Sequence, residues 1–454
     1  MACALWMLLL GNTPSWAQDS QYWTQKYGTK GLLLSGVAIA GGVDLSTTYY
    51  NPGGLAPLGD SMKVIAVKAF DFSNVTVDRA TETGEDISEP RNSVLPSFFG
   101  GTVNVRLAGS SPLAYSLFPR QLATFNMGLR NIRSLDLLPQ NPGPEAVVDE
   151  ARFEEDLDET WAGVTWSRML SRRVSVGLSQ YVAVRSQRAR RQILAQALAN
   201  DSIGGSAIDV RGFSYNDWRA VTKIGISFEF PNARAGLVVT SPGIHIMGSA
   251  DVGWNRFREG FDVDADPGID NQLIASFQED VPSDFHSPPS IGAGLAVDLD
   301  RTTIHLSAEA FGEEKRYSIF EMSPARDLGT SLTVPFEFFD ERQSLVNFGA
   351  GVERQIGART SAFVSVSSDF TATPDGESDI AFGDWDSYLV TGGLNFPVGK
   401  SEFTLGLGYG FGTGDADRIG RLNDSPLFGT AVDTDFEEAE TRYRNFRLIV
   451  GFTI

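Results

Sequence analysis

From about residue 62 to its end the chain reads as short alternating apolar/polar segments whose connections alternate strictly between very short and long. The short ones are Leu170-Ser171-Arg172-Arg173, Pro231-Asn232-Ala233, Asp298-Leu299-Asp300-Arg301, Ile356-Gly357-Ala358 and Pro397-Val398-Gly399-Lys400. The long ones are mostly acidic, such as Arg258–His286 and Asp415–Glu440. An up-and-down sheet with tight turns at one end and long loops at the other is the layout of an outer-membrane β-barrel. Fourteen strands are predicted, roughly at 62–78, 92–107, 113–130, 157–170, 174–190, 208–230, 234–257, 288–299, 302–321, 342–355, 359–372, 383–397, 401–414 and 439–453. Every short turn follows an even-numbered strand. An even count also returns the C-terminus to the side where the sheet began, as antiparallel closure requires.

The facing pattern agrees with a closed wall. In Ser401–Gly412, Phe403, Leu405, Leu407, Tyr409 and Phe411 share one face, and Glu402, Thr404, Gly406, Gly408 and Gly410 share the other. In the last segment Phe446, Leu448, Val450, Phe452 and Ile454 alternate with Asn445, Arg447, Gly451 and Thr453, and Ile449 is the apolar exception. A period of two gives one lipid-facing and one lumen-facing side. The lumen side carries Lys223, Glu229, His305, Glu309, Glu353 and Arg447. Trp161, Trp166, Trp218, Trp254, Trp385 and Tyr388 fall towards strand ends, where interfacial girdles sit.

No run approaches the ~18 apolar residues of a membrane-spanning helix, and no composition break divides the strand-rich part, so residues 61–454 are expected to form one barrel. The formal charge of −20 argues against nucleic acid as a partner. Acidic outer loops could instead be bridged by divalent cations to lipopolysaccharide, or serve solubility alone. Residues 1–17 resemble a secretory signal, with apolar Ala4–Leu10 followed by Pro14-Ser15-Trp16-Ala17. The usual basic start is missing, as expected if translation begins upstream of Met1. Cleavage after Ala17 would remove Cys3, the single cysteine, and leave a chain without a disulfide framework. Such an exported barrel is expected in the bacterial outer membrane, inserted by the barrel assembly machinery, as a monomer.

Residues 18–60 precede the strands. They include Gly31–Gly42, which is rich in small residues, and Thr47-Thr48-Tyr49-Tyr50-Asn51-Pro52-Gly53-Gly54-Leu55-Ala56. A compact plug inside a lumen needs small residues for close packing. Asn-Pro-Gly is also a turn in its own right, because Asn caps, Pro fixes φ and Gly accepts φ > 0. Ser46–Ala56 resembles the signature of the FadL family of outer-membrane transporters for hydrophobic compounds. The N-terminal hatch of that family carries Asn-Pro-Ala-Gly-Leu. Here the run is Asn51-Pro52-Gly53-Gly54-Leu55, with Gly53 in place of alanine. The resemblance implies a plugged fourteen-strand barrel for uptake of long-chain fatty acids or other apolar molecules.

Two further features fit that resemblance. Pro119 in the third strand and the pair Gly100-Gly101 in the second interrupt a ladder, which means either an ordinary bulge or a lateral opening. The family implies the latter, through an inward kink of the third strand. Two long connections also show helical-period apolar patches: Ile193, Leu194, Ala197 and Leu198, then Ile269, Leu273, Ile274 and Phe277. Exposed apolar residues are costly unless they pack or bind, so these patches form a lid, a ligand groove, or both. For an acidic head group, Lys223 and Arg447 are the candidate lumen cations.

No cofactor or metal motif stands out, since His245, His286 and His305 are scattered, and no G-x-S-x-G is present. Gly399-Lys400-Ser401 lacks the earlier glycine of a phosphate loop and reads as a hairpin turn. Enzymatic chemistry is therefore not expected. The alternatives to a hydrophobic-compound channel are a polar-solute porin, with an open charged lumen, and a non-transporting surface barrel.

Overall fold

The computed structural model describes residues 20–58, 63–78, 86–107, 111–136, 138, 141–199, 202–261, 271–374, 385–415 and 440–454. The expected signal sequence lies outside them. The chain forms a closed fourteen-stranded antiparallel barrel. The strands are β1 (Lys63–Val77), β2 (Ile87–Leu107), β3 (Ser111–Leu135), β4 (Glu145–Met169), β5 (Val174–Ala199), β6 (Ser202–Phe230) and β7, in two pieces (Ala233–Thr240 and Ile244–Glu259). The eighth, β8, is also in two pieces (Gln272–Pro282 and Ser290–Leu299), followed by β9 (Thr302–Phe311), β10 (Leu345–Gln355), β11 (Ser361–Asp369), β12 (Asp386–Val398), β13 (Ser401–Asp415) and β14 (Glu440–Thr453). Pairing of β1 with β14, from Val64↔Thr453 to Val77↔Thr441, closes the ring.

The alternation read from the sequence holds along the wall. Leu405, Leu407, Tyr409 and Phe411 face out, as do Ile224, Leu237, Ile291, Phe348 and Val364, giving a broad exposed apolar belt. Thr404 and Asn445 face in. Ile449, the exception to the pattern, also faces in and is buried against the N-terminal segment. Three of the aromatics expected at interfacial girdles do not reach the outside. Trp161, Trp254 and Trp385 are buried within the barrel, whereas Trp218 and Tyr388 are exposed.

On the side of the long connections, several strands run further than predicted. The predicted loop 191–207 is instead the continuous ladder of β5 and β6, down to Leu198↔Ile203 and Ala199↔Ser202. Ile193, Leu194 and Leu198 therefore sit on a strand, not on a helical turn. Ile193 is buried inside, Leu198 is exposed and Leu194 lies between. Leu273, Ile274 and Phe277 likewise lie on the outer piece of β8, where Ile274 is buried and Leu273 and Phe277 are exposed. Ile269 lies outside the described residues. The short apolar clusters fitted both periods, and the ladder partners available on either side selected a period of two.

The N-terminal segment, 20–58, lies inside the barrel at the end of the short turns. It forms two brief helices, Lys30–Leu33 and Thr47–Tyr50, then a 3-10 turn, Pro52–Leu58. Tyr27, Leu33, Leu34, Leu45 and Leu55 are fully buried, in one core with wall residues Val64, Phe98, Phe118, Trp161 and Tyr181. At the opposite end, residues 319–338 fold back over the mouth. There Phe320, Phe336 and Phe338 pack on Phe213, Tyr215 and Trp254.

Candidate functional site

The segment is held in the lumen by the motif that suggested it. Asn51 is fully buried. Its Nδ2 donates to Ile39 O (2.9 Å), Ile226 O (3.1 Å) and Ser227 Oγ (3.1 Å), and its Oδ1 accepts from Gly53 N (3.0 Å). One side chain thus ties the segment's own fold to the edge of β6. The wall makes room for it. A Cβ at Gly225 would lie 2.1 Å from Asn51 Oδ1, and one at Gly236 would lie 2.0 Å from Ile39 O. Pro52 and Gly53 lead into the 3-10 turn, where Ser175 Oγ donates to Gly53 O at 2.7 Å. Gly54 packs on the backbone of Gly41 and Gly42, and Leu55 is fully buried. Wall hydroxyls satisfy further carbonyls: Ser179 Oγ and Tyr181 OH donate to Thr48 O, and Ser365 Oγ donates to Leu33 O. Gly406 meets Leu33, but Gly408 and Gly410 face wall side chains.

The ladder between β2 and β3 is incomplete. Its described pairs run from Leu107↔Ser111 to Phe99↔Leu117 and stop there. Beyond that point β2 pairs with β1 and β3 pairs with β4. Gly100 and Gly101 pair with Ser116 and Tyr115, just inside the end of the ladder, and Pro119 lies just beyond it. The register of β3 on β4 shifts between Pro119 and Gln121, so Arg120 bulges. Both features reach the N-terminal segment. Tyr27 OH donates to Pro119 O at 3.1 Å, and Arg120 Nη1 donates to Tyr22 O at 2.7 Å. Phe98 and Phe118 stack across the interruption on its inner side, with ring centroids 6.0 Å apart.

Above the segment is a lumen cavity of about 40 Å³, lined by Tyr22, Tyr49, Arg120, Glu159, Trp161, Lys223, Phe285, Glu309 and Arg342 among others. A water needs at least roughly 10–15 Å³, so the cavity takes a few waters and no acyl chain. Lys223 lies over the Tyr49 ring, 4.1 Å from its centroid. Arg447 does not line the cavity. Its Nε lies 3.4 Å from Asp71 Oδ2 and its Nη1 donates to Thr24 O at 3.2 Å.

A buried ion network separates this cavity from the outer apolar cluster. Glu159 Oε2 lies 3.2 Å from Arg185 Nη1 and 2.6 Å from Arg219 Nη2. Both guanidiniums lie over Phe285, at 4.0 and 4.7 Å. Arg120, Arg185, Arg219, Glu159 and Arg342 were not singled out in the sequence. The bulge at Arg120 was signalled only by the neighbouring proline, and the others meet only once the barrel has closed.

Neither protein-family models nor curated proteins give a match to this sequence. Solved structures do. A Pseudomonas aeruginosa FadL homologue superposes with a TM-score of 0.58 at 9% identity, covering 95% of this chain and 99% of that one. The Pseudomonas putida toluene transporter TodX gives 0.55 at 11%, covering 94% and 98%. The CymD monoaromatic hydrocarbon channel gives 0.50 at 12%, covering 96% and 98%. The chain therefore has the fold of the FadL-like channels over nearly its full length.

Proposed function

We propose that this chain is an outer-membrane channel for passive uptake of hydrophobic small molecules, long-chain fatty acids among them. Ligand collects at the outer mouth, enters the lumen cavity, and leaves sideways between β2 and β3 when the N-terminal hatch, residues 18–60, moves. The observation that carries this reading is the ladder ending at Phe99↔Leu117, beside a lumen filled by the N-terminal segment. Burying an acyl chain gains ~0.8 kcal/mol per methylene. An exit straight into water would return that gain, whereas a lateral gap keeps the chain in apolar surroundings. A polar-solute porin has no use for such a gap and needs an open lumen. The outer apolar residues Leu273 and Phe277 remain available for first capture, while Ile193 and Ile274 are committed to packing. TodX is a toluene transporter and CymD a monoaromatic hydrocarbon channel, which supports the same substrate class.

The cavity favours an amphipathic ligand over a bare hydrocarbon. Of its charged lining, Arg342 is paired with Asp340 and Glu159 with Arg185 and Arg219, so Arg120 and Lys223 face the single carboxylate of Glu309. An acidic head group would complete the balance. In proteoliposomes, a long-chain fatty acid should be taken up faster than the alcohol of equal length, and Lys223→Met should shrink that preference several-fold while leaving alcohol uptake unchanged. Flux of sugars without uptake of either lipid would overturn the proposal in favour of a porin.

A further inference from the structure

Two of the histidines that lie scattered in the sequence converge where both β7 and β8 break. β7 is interrupted at residues 241–243 and β8 at 283–289. There His245, at the start of the second piece of β7 and still paired with Arg219, gathers beside Asp217 of β6 with Asp284 and His286, both of which lie in the break of β8. His245 Nδ1 lies 3.0 Å from Asp217 Oδ2 and 3.5 Å from Asp284 Oδ1. One ligand atom from each of the three residues falls within 4.8 Å of the other two. His286 flanks the group, with Nε2 3.5 Å from the second oxygen of Asp284 and Nδ1 3.6 Å from Glu314 Oε2.

We infer that Asp217, His245 and Asp284 bind a divalent first-row metal ion, with Zn²⁺ as the natural probe. A neutral imidazole nitrogen that carries a proton can give it to one carboxylate only, yet two converge on Nδ1. Carboxylates crowded this way repel unless a cation lies between them. Around a zinc ion bonded at about 2.0–2.2 Å, neighbouring ligand atoms sit roughly 3–3.5 Å apart. The two short spacings match that figure.

The surroundings suit a cation as well. Asp217 is fully buried and oriented by Phe285 N, which donates to Oδ2 at 3.3 Å. Arg219 Nε lies 3.0 Å from the other oxygen, Oδ1, and so does not occupy the face turned to His245. Arg219 and Arg185 are balanced by Asp217 and Glu159. Asp284 and Glu314 then leave a local surplus of negative charge. Gly248 adds no bulk at this point: a Cβ there would lie 3.0 Å from Asp217 Oδ2. Held by β6, β7 and the break of β8, the ion would clasp the wall where two strands are interrupted. This inference does not depend on what the barrel transports.

The test uses the full-length purified barrel, stripped with chelator and titrated with ZnCl₂ by calorimetry, with bound metal counted by mass spectrometry. One Zn²⁺ per barrel at micromolar affinity is expected, together with a zinc-dependent rise in the unfolding temperature. Both should weaken by at least about tenfold in His245→Ala and Asp284→Asn and persist in His305→Ala, which removes the histidine outside the cluster. Asp284 is largely exposed, so its variant serves should His245→Ala fail to assemble. Absence of saturable binding, or equal affinity in wild type and Asp284→Asn, would overturn the site.

Discussion

At the scale of single residues, Asn51 does what neither aspartate nor alanine could. Its amide donates to two carbonyls and a hydroxyl, while its oxygen accepts the Gly53 amide. Aspartate would turn a carboxylate towards those carbonyls, and alanine would leave the buried groups unpaired at about 1–3 kcal/mol each. Asn51→Ala should therefore loosen the N-terminal segment without preventing barrel assembly. Ion conductance across planar bilayers should rise several-fold and uptake of apolar ligand should fall. Wild-type conductance and uptake in this variant would remove the anchoring role. The motif was legible because Asn-Pro-Gly is local turn chemistry. The convergence of Asp217, His245 and Asp284 was not, because two strands and the break in a third supply the residues and only the register of the closed wall brings them together.

At the scale of elements, turn punctuation and period two gave the strand count and order, since each hairpin is a local unit. The mistaken helical patches mark the limit of periodicity. Ile193, Leu194, Ala197 and Leu198 satisfy a 3.6-residue period as a set, but Ala195, buried between Ile193 and Ala197, reveals the strand. The breaks in β7 and β8 did have signals, in Pro242-Gly243 and Pro288-Pro289. The first is overridden because flanking residues continue the alternation through the predicted strand 234–257, whereas the second reads as the start of the eighth strand, with its outer piece, Gln272–Pro282, falling in the predicted loop. The short turns and the N-terminal segment lie at one end, which the proposed function places in the periplasm. A cysteine at Leu332, on the opposite end, should react with a membrane-impermeant maleimide on intact cells, and one at Gly399 should not. Labelling at Gly399 alone would invert the orientation.

At the scale of the whole molecule, the structure joins an exposed apolar belt, a lumen filled at one end, and a wall whose ladder stops beside the filling. The cavity of about 40 Å³ is too small for the proposed ligand, so passage requires movement of the N-terminal segment or the outer cover. Tyr27 and Arg120 link that segment to the edge of the interruption, so displacement at one is felt at the other. The central claim is that ligand leaves through this interruption. Phe98 and Phe118 face each other across it, and both can be replaced by cysteine and joined by a short, reducible bis-methanethiosulfonate linker. The measurement is fatty-acid uptake by cells carrying the linked barrel, before and after reductant. The account predicts that linking blocks uptake and that reduction restores it. Undiminished uptake through a fully linked barrel would contradict it and send the ligand straight down past the hatch.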